Sequence, residues 1–429
     1  MNKVRLKVHN FGPIKEGYKH DDGFMTFPKV TLFCGPQGSG KSTITKLVSS
    51  LMWLEKAAFV AAWSRPELLI KSTAILRSLT SWHNLETYFQ ANTEIEYVGE
   101  GIKLRYKDGE FSLCPTFADD RSYQKPKIMY IPAERNFLHY FKNSAPVEQP
   151  PLLALYREYV KAEKLFANGY NLPINGYRFV VDKNMGPVIV NDHGNGGGTK
   201  TPVGAASSGL QSILPLLLVS DYLKDCIGHD SAITLDTESM SVINNPFIKI
   251  SSDRGEPFFT ESDVRINVPA FIFRAKHANE CFVNVIEEPE QNLFPPTQRN
   301  VLRKLLSISK RLESNRLILS THSPYVVSDL VASTRAHGLY RKADSLNNRG
   351  IDFNAKLQEA YASDSAIAST DVCLYETNYD GTIVRSMDDQ GRLKDSNYLN
   401  NQLKLSAMLF DHMFLLKHMM DEKLEALNG

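Results

Sequence analysis

The stretch FCGPQGSGKST at residues 33–43 constrains this chain more than any other segment. Between Gly35 and Ser42 it matches the pattern G-x-x-x-x-G-K-[ST] in full. An apolar β-type run, VTLFC, precedes it, and KSTITKLVSSLMWL, which has helical periodicity, follows it. A strand, a glycine-rich turn and a helix in this order place backbone N–H groups and a helix N-terminus around phosphate oxygens. The pattern therefore predicts an α/β fold that binds a nucleoside triphosphate.

Each conserved type of residue in this loop has a chemical role. The glycines allow the tight turn, Lys41 can reach the β- and γ-phosphates, and Ser42 can ligate Mg²⁺. The motif alone does not distinguish a kinase, a GTPase, a motor and a transporter ATPase. The predicted nucleotide-binding residues of the loop are Gly35, Pro36, Gln37, Gly38, Ser39, Gly40, Lys41, Ser42 and Thr43.

A second motif, CFVNVIEEPEQNLFPP, occupies residues 281–296. CFVNVI is typical of a buried strand, and two adjacent glutamates follow it. A P-loop enzyme needs an acid for the Mg²⁺ shell and a base for the attacking water, which predicts these roles for Glu287 and Glu288 respectively. The alternative is an acidic strand end before a turn at Pro289. The P-loop upstream makes the functional interpretation the favoured one.

A third motif, RLILSTHSPYVV, covers residues 316–327. RLILS predicts another buried strand, with His322 just beyond its carboxyl end, the edge at which parallel α/β sheets bind ligands. A histidine there can donate to a γ-phosphate or position the water. The alternative is an ordinary loop histidine, which the spacing after Glu288 disfavours.

A fourth segment, ASSGLQSILPLLLVSDYL, begins at Ala206 with a turn of small residues before a strongly apolar helix. Such a helix start is a second anion-binding position. Since Lys41 already serves one triphosphate, this site is useful if it contacts a nucleotide held by another subunit. In isolation, an ordinary helix N-cap explains the serines better.

The motifs GPQGSGKS, SSGLQS, IEEPE and STHSP, in this order, resemble the ABC-type ATPase head of the SMC/RecF/OLD group, and the opening KVHNFGPIKEG resembles its first strand and turn. The resemblance covers about residues 1–335. It implies a mixed sheet flanked by helices, ATP and Mg²⁺ as ligands, and ATPase activity. It also implies a homodimer or higher homo-oligomer in which two heads enclose two ATP molecules. The residues matching the signature are Ser208, Gly209 and Gln211.

This sequence departs from the group in three places. Leu210 replaces the second signature glycine, and Glu287 replaces the usual aspartate. The strand in KIMYIPAERN aligns with the strand that normally leads to the Q-loop glutamine, but Glu134 and Arg135 follow here. Arg135 could contact a phosphate while Glu134 joins the Mg²⁺ shell, or the two could form a structural salt bridge. These departures predict slow hydrolysis and a nucleotide-held switch.

The domain organisation predicted from the sequence has two parts. Residues 1–335 form the ATPase head, with a short helical arm or insertion at about 55–175 and a surface insertion at about 235–265. Residues 336–429 form a small C-terminal α+β region with a hairpin at Asp380-Gly381. An amphipathic helix rich in Met and Phe begins at Leu399. This helix either packs on its own domain or docks a partner.

Composition narrows the class of protein. The net charge of +1 excludes a strongly basic or acidic chain, and no apolar run approaches the roughly 20 residues that span a bilayer. The N-terminus alternates like a strand, unlike a signal peptide. We therefore expect a cytoplasmic protein without membrane association. The tail is too short for the TOPRIM nuclease of OLD-type relatives and offers no convincing carboxylate cluster, so no intrinsic nuclease activity is expected.

Three functions are compatible with the motifs. The first is a switch that controls a partner effector nuclease of HNH or TOPRIM type, because the chain resembles the ATPase subunits of Septu- and PARIS-type phage-defence systems in size and motifs. The second is a RecF-like DNA-repair ATPase. The third, a transporter ATPase, is disfavoured by SSGLQS and the missing Q-loop glutamine. The basic residues available to the second function are Arg299, Arg303, Lys304, Lys310, Arg311 and Arg316.

Overall fold

The computed structural model describes residues 4–64, 81–116, 123–143, 149–192, 198–227, 279–347, 352–395 and 397–428. The predicted surface insertion at 235–265 lies outside these ranges. Residues 65–80, 117–122 and 144–148 of the predicted arm, and residues 193–197 before the signature helix, lie outside them too.

A seven-stranded mixed sheet forms the centre of the protein, in the order β2-β16-β15-β4-β14-β13-β8. Strands β8, β13, β14, β4 and β15 are parallel, and β16 pairs antiparallel with β15. The bounds are β2 Gly17–Tyr18, β4 Val30–Cys34, β8 Pro126–Ile131, β13 Cys281–Glu287, β14 Arg316–Thr321, β15 Val372–Thr377 and β16 Thr382–Arg385.

The parallel strands are buried along their length because helices or a second sheet cover both faces of this sheet. Alternate side chains of β4 belong to different cores: Leu32 packs with the cluster around the signature helix, and Phe33 packs with the cluster that includes the P-loop helix. This explains why the sequence shows continuous apolar runs at these strands instead of alternation. The carboxyl ends of these strands lie along one edge of the sheet, which brings together the motifs that follow them.

Two smaller antiparallel sheets flank the central one. The first has the order β3-β1-β5-β6-β7, and the second has the order β12-β11-β10-β9. The bounds in the first are β1 Val4–Phe11, β3 Met25–Phe27, β5 Phe89–Val98, β6 Ile102–Lys107 and β7 Glu110–Pro115. The bounds in the second are β9 Tyr170–Asn171, β10 Tyr177–Asp182, β11 Gly186–Asn191 and β12 Thr199–Pro202.

The α-helices of the described ranges mostly cover the central sheet. The P-loop helix is α1, the signature helix is α3, and the C-terminal helix is α7. Their bounds are α1 Lys41–Ser64, α2 Pro150–Leu165, α3 Ser208–Cys226, α4 Pro295–Ser309, α5 Pro324–Asn347, α6 Asn354–Ala360 and α7 Tyr398–Asn428. No helix among the described residues is both long and apolar enough to cross a membrane.

The α/β fold class with a mixed sheet and flanking helices is confirmed, but two organisational predictions need correction. The hairpin β15–β16 is inserted in the central sheet beside β4, so residue 335 is not a boundary within that sheet. The described part of the predicted helical arm contains the strands β5–β7, which extend the sheet of β1. Sequence analysis recognised the hairpin at Asp380-Gly381, but strand pairing across distant segments decided where the hairpin and the strands β5–β7 belong.

Candidate functional site: a P-loop with converging acids and a histidine

The P-loop connects β4 to α1 through glycines in left-handed backbone conformations. Gly35 has φ +138°, Gly38 has φ +73° and Gly40 has φ +100°. A Cβ on Gly35 would collide with the carbonyl of Thr377, and a Cβ on Gly40 would collide with Ile14. The loop therefore needs glycine at these positions both for the turn and for close packing.

Lys41 begins α1, and its ammonium group lies over the loop. Nζ donates to the carbonyls of Gly35 and Pro36, at 2.9 and 2.7 Å. Burial lowers the pKa of Lys41 to about 8, and the Glu288 carboxylate partly opposes that shift. A lysine in this environment gains from a phosphate, because the anion stabilises the charge that burial disfavours.

The hairpin β15–β16 supports the P-loop through Thr377. Ser39 Oγ lies 2.5 Å from Thr377 Oγ1, and Thr377 Oγ1 donates to the carbonyl of Cys34 at 3.3 Å. Ser39 Oγ also donates to the carbonyl of Pro36 at 2.7 Å. Sequence analysis missed Thr377, since it lies 338 positions after its partner Ser39 and no motif marks it. Strand pairing of β15 with β4 makes the contact.

Glu287 ends β13, and its carboxylate is held by its neighbours. Tyr130 donates to Oε1 at 2.5 Å, the Ala133 N–H donates to Oε2 at 3.4 Å, and Lys46 Nζ lies 4.0 Å from Oε1. The side chain is buried at the carboxyl edge of the sheet. Tyr130 was not identified from the sequence, although it lies on the strand aligned with the Q-loop strand.

Glu288 follows with φ +45°, a left-handed conformation that is uncommon outside glycine. Its N–H donates to the Ser320 carbonyl at 2.8 Å, and its own carbonyl accepts from the Gln291 N–H at 3.0 Å. The turn directs the Glu288 carboxylate towards His322, with Oε1 3.6 Å from Nε2. A strained residue in an acidic turn beside a P-loop is typical of a functional position.

His322 lies between Glu288 and Lys41. Its Nδ1 is 3.5 Å from Lys41 Nζ, and in the tautomer in which Nδ1 accepts from this ammonium group the imidazole proton is on Nε2. Burial and the nearby lysine charge lower the pKa of His322, so the ring is neutral at pH 7. The neutral tautomer can donate one hydrogen bond from Nε2 to an anion in the site.

Glu290 holds the backbone that carries His322. Its Oε1 accepts from Thr321 Oγ1 and from the His322 N–H, both at 2.7 Å. Burial raises the pKa of Glu290, and its Oε2 is buried without a hydrogen-bond partner among the described residues. Sequence analysis quoted Glu290 within IEEPE but gave it no role. The sequence feature that could have identified it is a third acid, two residues after the Glu287–Glu288 pair.

Arg135 is placed differently from the expected phosphate contact. The side chain is fully buried, and its guanidinium donates to main-chain carbonyls. The prediction of a phosphate ligand is therefore not supported, and the alternative of a Glu134–Arg135 salt bridge does not describe these bonds either. The acceptors are Pro132 O at 3.2 Å, Ser212 O at 3.2 Å, Glu287 O at 2.7 Å and Glu288 O at 2.6 Å.

The signature residues occupy the start of α3. Ser208 is exposed, whereas a Cβ on Gly209 would lie 2.5 Å from the Asn292 carbonyl, in the loop after the two acids. Gln211 differs from the expectation: its amide donates to the carbonyls of Val203 and Gly204 at 3.2 and 3.0 Å, so it caps a turn of its own chain. Of the three predicted signature residues, Ser208 is thus the one that is exposed.

The donor set at this edge fits MgATP. Left-handed glycines leave the P-loop N–H groups and Lys41 around a concave turn, and a Cβ on Gly38 would meet nothing within 4 Å. Mg²⁺ in P-loop sites needs few protein ligands because phosphates and water supply the rest. Ser42 at the first turn of α1 and Glu287 at the end of β13 are the residues that would hold it.

The basic residues proposed for DNA binding are mostly paired inside the protein. Salt bridges join Arg303 to Asp329 at 2.8 Å, Lys304 to Asp221 at 2.9 Å, Arg311 to Asp225 at 2.7 Å and Arg316 to Glu100 at 2.5 Å. Lys310 donates to the carbonyls of Ser363 and Ala366. Five of the six side chains that the sequence analysis gave as candidates for a basic groove are therefore engaged in ion pairs or hydrogen bonds within the chain.

Comparison with known protein families gives one match within this site. Residues 265–327 match the model of the AAA ATPase domain, a segment that includes Glu287, Glu288 and His322. It covers a minor part of the chain and does not reach the P-loop. A comparison with curated protein sequences gave no match.

Solved structures with a similar course of the chain include heads of SMC proteins. The SMC head domain from Thermotoga maritima is 13% identical, with 77% of this chain and 92% of that chain covered and a TM-score of 0.33. The Smc head of Pyrococcus furiosus, bound to the C-terminal domain of ScpA, is 10% identical, with 95% and 98% covered and a TM-score of 0.36. CbiO1 of Clostridium perfringens, part of an ABC transporter complex, is 10% identical, with 89% and 88% covered and a TM-score of 0.28. All three TM-scores are below 0.5, so the function proposed below is based on the geometry of the site.

Proposed function

We propose that this protein is an ATPase of the SMC/ABC type whose heads dimerise around ATP. One observation carries the proposal: three strands bring Lys41, His322 and Glu288 into one cluster. Lys41 Nζ lies 3.5 Å from His322 Nδ1, and His322 Nε2 lies 3.6 Å from Glu288 Oε1. The family match over residues 265–327 supports the same assignment independently of the P-loop.

Each side chain has a defined task in hydrolysis. Lys41 and the P-loop N–H groups neutralise charge on the β- and γ-phosphates, and neutral His322 donates from Nε2 to the γ-phosphate. Glu288 accepts the proton of the attacking water. Ser42 and Glu287 would hold Mg²⁺, which would neutralise part of the charge on the phosphates.

The exposed Ser208 at the start of α3 supports a composite site. A helix N-terminus favours an anion, and Gly209 packs against the loop that follows Glu287 and Glu288. In the proposed dimer, each α3 presents its N-terminus to the ATP of the other head. Formation of the dimer is then linked to the presence of the γ-phosphate, which makes the protein a nucleotide-controlled switch.

The finer proposal is that the switch regulates a partner effector nuclease of HNH or TOPRIM type in anti-phage defence. It depends on the resemblance to Septu- and PARIS-type ATPases. It also depends on the assignment of Glu287 and Glu288 to ATP hydrolysis, which leaves them unavailable for a nuclease site. The RecF-like alternative is disfavoured, since five of its six candidate basic residues are engaged within the chain. Metal-dependent cleavage of DNA by the purified chain, retained in Lys41→Ala, would overturn the switch proposal.

Glu288→Gln and Lys41→Ala test the ATPase assignment together. Glu288→Gln preserves shape but not basicity, so the variant should bind ATP, cease turnover and keep its heads dimerised in the presence of ATP. Lys41→Ala should lose ATP binding while its circular dichroism spectrum is unchanged. ATP affinity equal to wild type in Lys41→Ala would reject the P-loop assignment, and normal turnover in Glu288→Gln would reject the role of the base.

A further inference from the structure

Helix α7 carries a large exposed apolar surface in its central part. Phe410 is 73% exposed, Phe414 is 76% exposed and Met408 is 65% exposed. This exposure contradicts one of the two alternatives predicted for the helix, in which its Met- and Phe-rich face packs on its own domain. The large exposed apolar residues are Met408, Leu409, Phe410, Met413, Phe414, Leu415, Leu416, Met419 and Met420.

The apolar surface is too wide for one neighbouring helix. At 100° per residue, these side chains spread over roughly 260° of the helix circumference, and the remaining arc contains Asp411 and His418. His412 and Lys417 are the polar residues that interrupt the apolar arc. A helix that is apolar nearly all round is normally buried between several neighbours, whereas a two-stranded coiled coil covers only a narrow seam.

The area is sufficient for a stable interface. Nine large apolar side chains, most of them more than half exposed, offer on the order of 1,000 Å². The largest apolar patch of an ordinary monomer is about 300–600 Å², and each partner of a standard interface buries about 800 Å². One helix of this chain therefore exposes an area that suits permanent association.

The charges favour a second copy of the same chain as the partner. Within residues 398–428 the sequence has three lysines (404, 417 and 423) and four acids (411, 421, 422 and 425), so identical helices do not repel one another. The arc opposite the apolar surface carries Asp411, whereas helices that lie on membranes have a polar face rich in Lys and Arg. Mixed charge next to a wide apolar arc matches a helix inside a homo-oligomeric bundle.

We propose that α7 packs against α7 of other copies of this chain, in a bundle of more than two helices that forms without nucleotide. This interface goes beyond the proposed head-to-head dimer and is independent of it. Two kinds of contact in one chain, one constitutive and one that requires ATP, produce an assembly whose tails remain joined while its heads open and close.

Light scattering of the full-length protein without nucleotide tests this interface. The wild type should have at least three times the mass of one chain, and the double variant Phe410→Asp/Phe414→Asp should be monomeric. Met185→Asp, which changes an apolar residue that is 48% exposed in the β10–β11 turn, is the matched control and should keep the wild-type mass. A second double variant of the full chain, Leu409→Asp/Met413→Asp, should also be monomeric and should still bind ATP.

Several results would overturn the proposal. A monomeric wild type would indicate that the helix binds a different protein. Sedimentation of the wild type with anionic lipid vesicles would indicate that the helix binds a membrane surface. An unchanged mass in both tail variants would place the interface elsewhere. The head dimer is tested separately. Glu288→Gln combined with Phe410→Asp/Phe414→Asp should still dimerise when ATP is added, and a failure to dimerise would count against the proposed function alone.

Discussion

Arg135 Nη2 donates to the carbonyl of Glu288 over 2.6 Å, and Glu288 is held there at φ +45°. The same guanidinium donates to the carbonyls of Glu287 and of Ser212 in the signature helix. A left-handed non-glycine residue costs on the order of 1 kcal/mol and persists only where neighbours hold it. Arg135 is therefore a positioning residue that joins the turn of Glu288 to the signature helix α3.

Arg135→Lys should separate turnover from ATP binding. Lysine keeps the charge but cannot donate to three elements at once, so we expect kcat to fall at least tenfold while the Kd for ATP changes less than threefold. The free energy of unfolding should drop by about 2–4 kcal/mol. Arg178→Lys, at an exposed ion pair with Asp192, is the control and should leave both constants unchanged. A parallel loss of ATP affinity and kcat would indicate a purely structural role.

Glu290 should act through the backbone of His322. In Glu290→Ala, the Thr321 hydroxyl and the His322 N–H lose their acceptor, and kcat should fall about 10- to 100-fold. Glu290→Gln keeps an oxygen for both donors, and the raised pKa of Glu290 already favours a neutral group, so this variant should retain activity within a few fold. Equal defects in the two variants would argue that the carboxylate itself takes part in the reaction.

ATP binding should take up a proton near pH 8. The pKa of Lys41 is lowered to about 8 by burial, and a bound triphosphate raises it again. At pH 8 we expect up to about half a proton per ATP, seen as a difference between binding enthalpies in buffers of unlike ionisation enthalpy, and an affinity that weakens as the pH rises further. Lys41→Arg should bind without proton uptake, since arginine stays charged. Buffer-independent enthalpy in the wild type would contradict the prediction.

The same shift affects stability with a definite sign. Because the folded-state pKa lies below the ordinary lysine value of 10.5, the unfolded chain binds more protons between about pH 8 and 10.5. The contribution of Lys41 to the free energy of unfolding should therefore increase with pH across that window. Comparing wild type with Lys41→Met in denaturant titrations at both ends of the window isolates this contribution.

The hairpin support under the P-loop should matter for nucleotide affinity. Thr377→Val removes the hydroxyl that contacts Ser39 and Cys34, so we expect the Kd for ATP to rise about 3- to 10-fold and the free energy of unfolding to fall by about 1 kcal/mol. Thr31→Val on β4 is the matched control, because the buried Thr31 Oγ1 has no hydrogen-bond partner among the described residues. The support would be refuted by equal effects of the two substitutions on ATP affinity.

Mixing two inactive variants tests the composite site. Lys41→Ala lacks phosphate binding, and Ser208→Arg blocks the N-terminus of the signature helix, so each variant alone should be inactive. A heterodimer keeps one site in which Lys41 of one chain and Ser208 of the other are intact, and an equimolar mixture should recover about a quarter of wild-type activity. Heterodimers that form without recovering activity would show that each site is built within one chain.

The sequence by itself determined the parts of the site that are local. The P-loop, the acids after β13 and the histidine after β14 each follow a strand directly, so spacing and strand periodicity were enough to identify them. The hairpin at Asp380-Gly381 and the helix of residues 398–428 were recognised for the same reason. These features depend on interactions within a few residues, which sequence patterns report.

Only the tertiary structure decided which distant groups support that site. Thr377 reaches the P-loop because β15 pairs with β4, Arg135 turns to carbonyls because its guanidinium is buried, and Gln211 caps its own chain. It also decided that residues 408–420 of α7 are exposed, which periodicity cannot reveal because the same stripe suits a core and an interface. Such contacts depend on strand order and burial across hundreds of residues, and no local pattern encodes them.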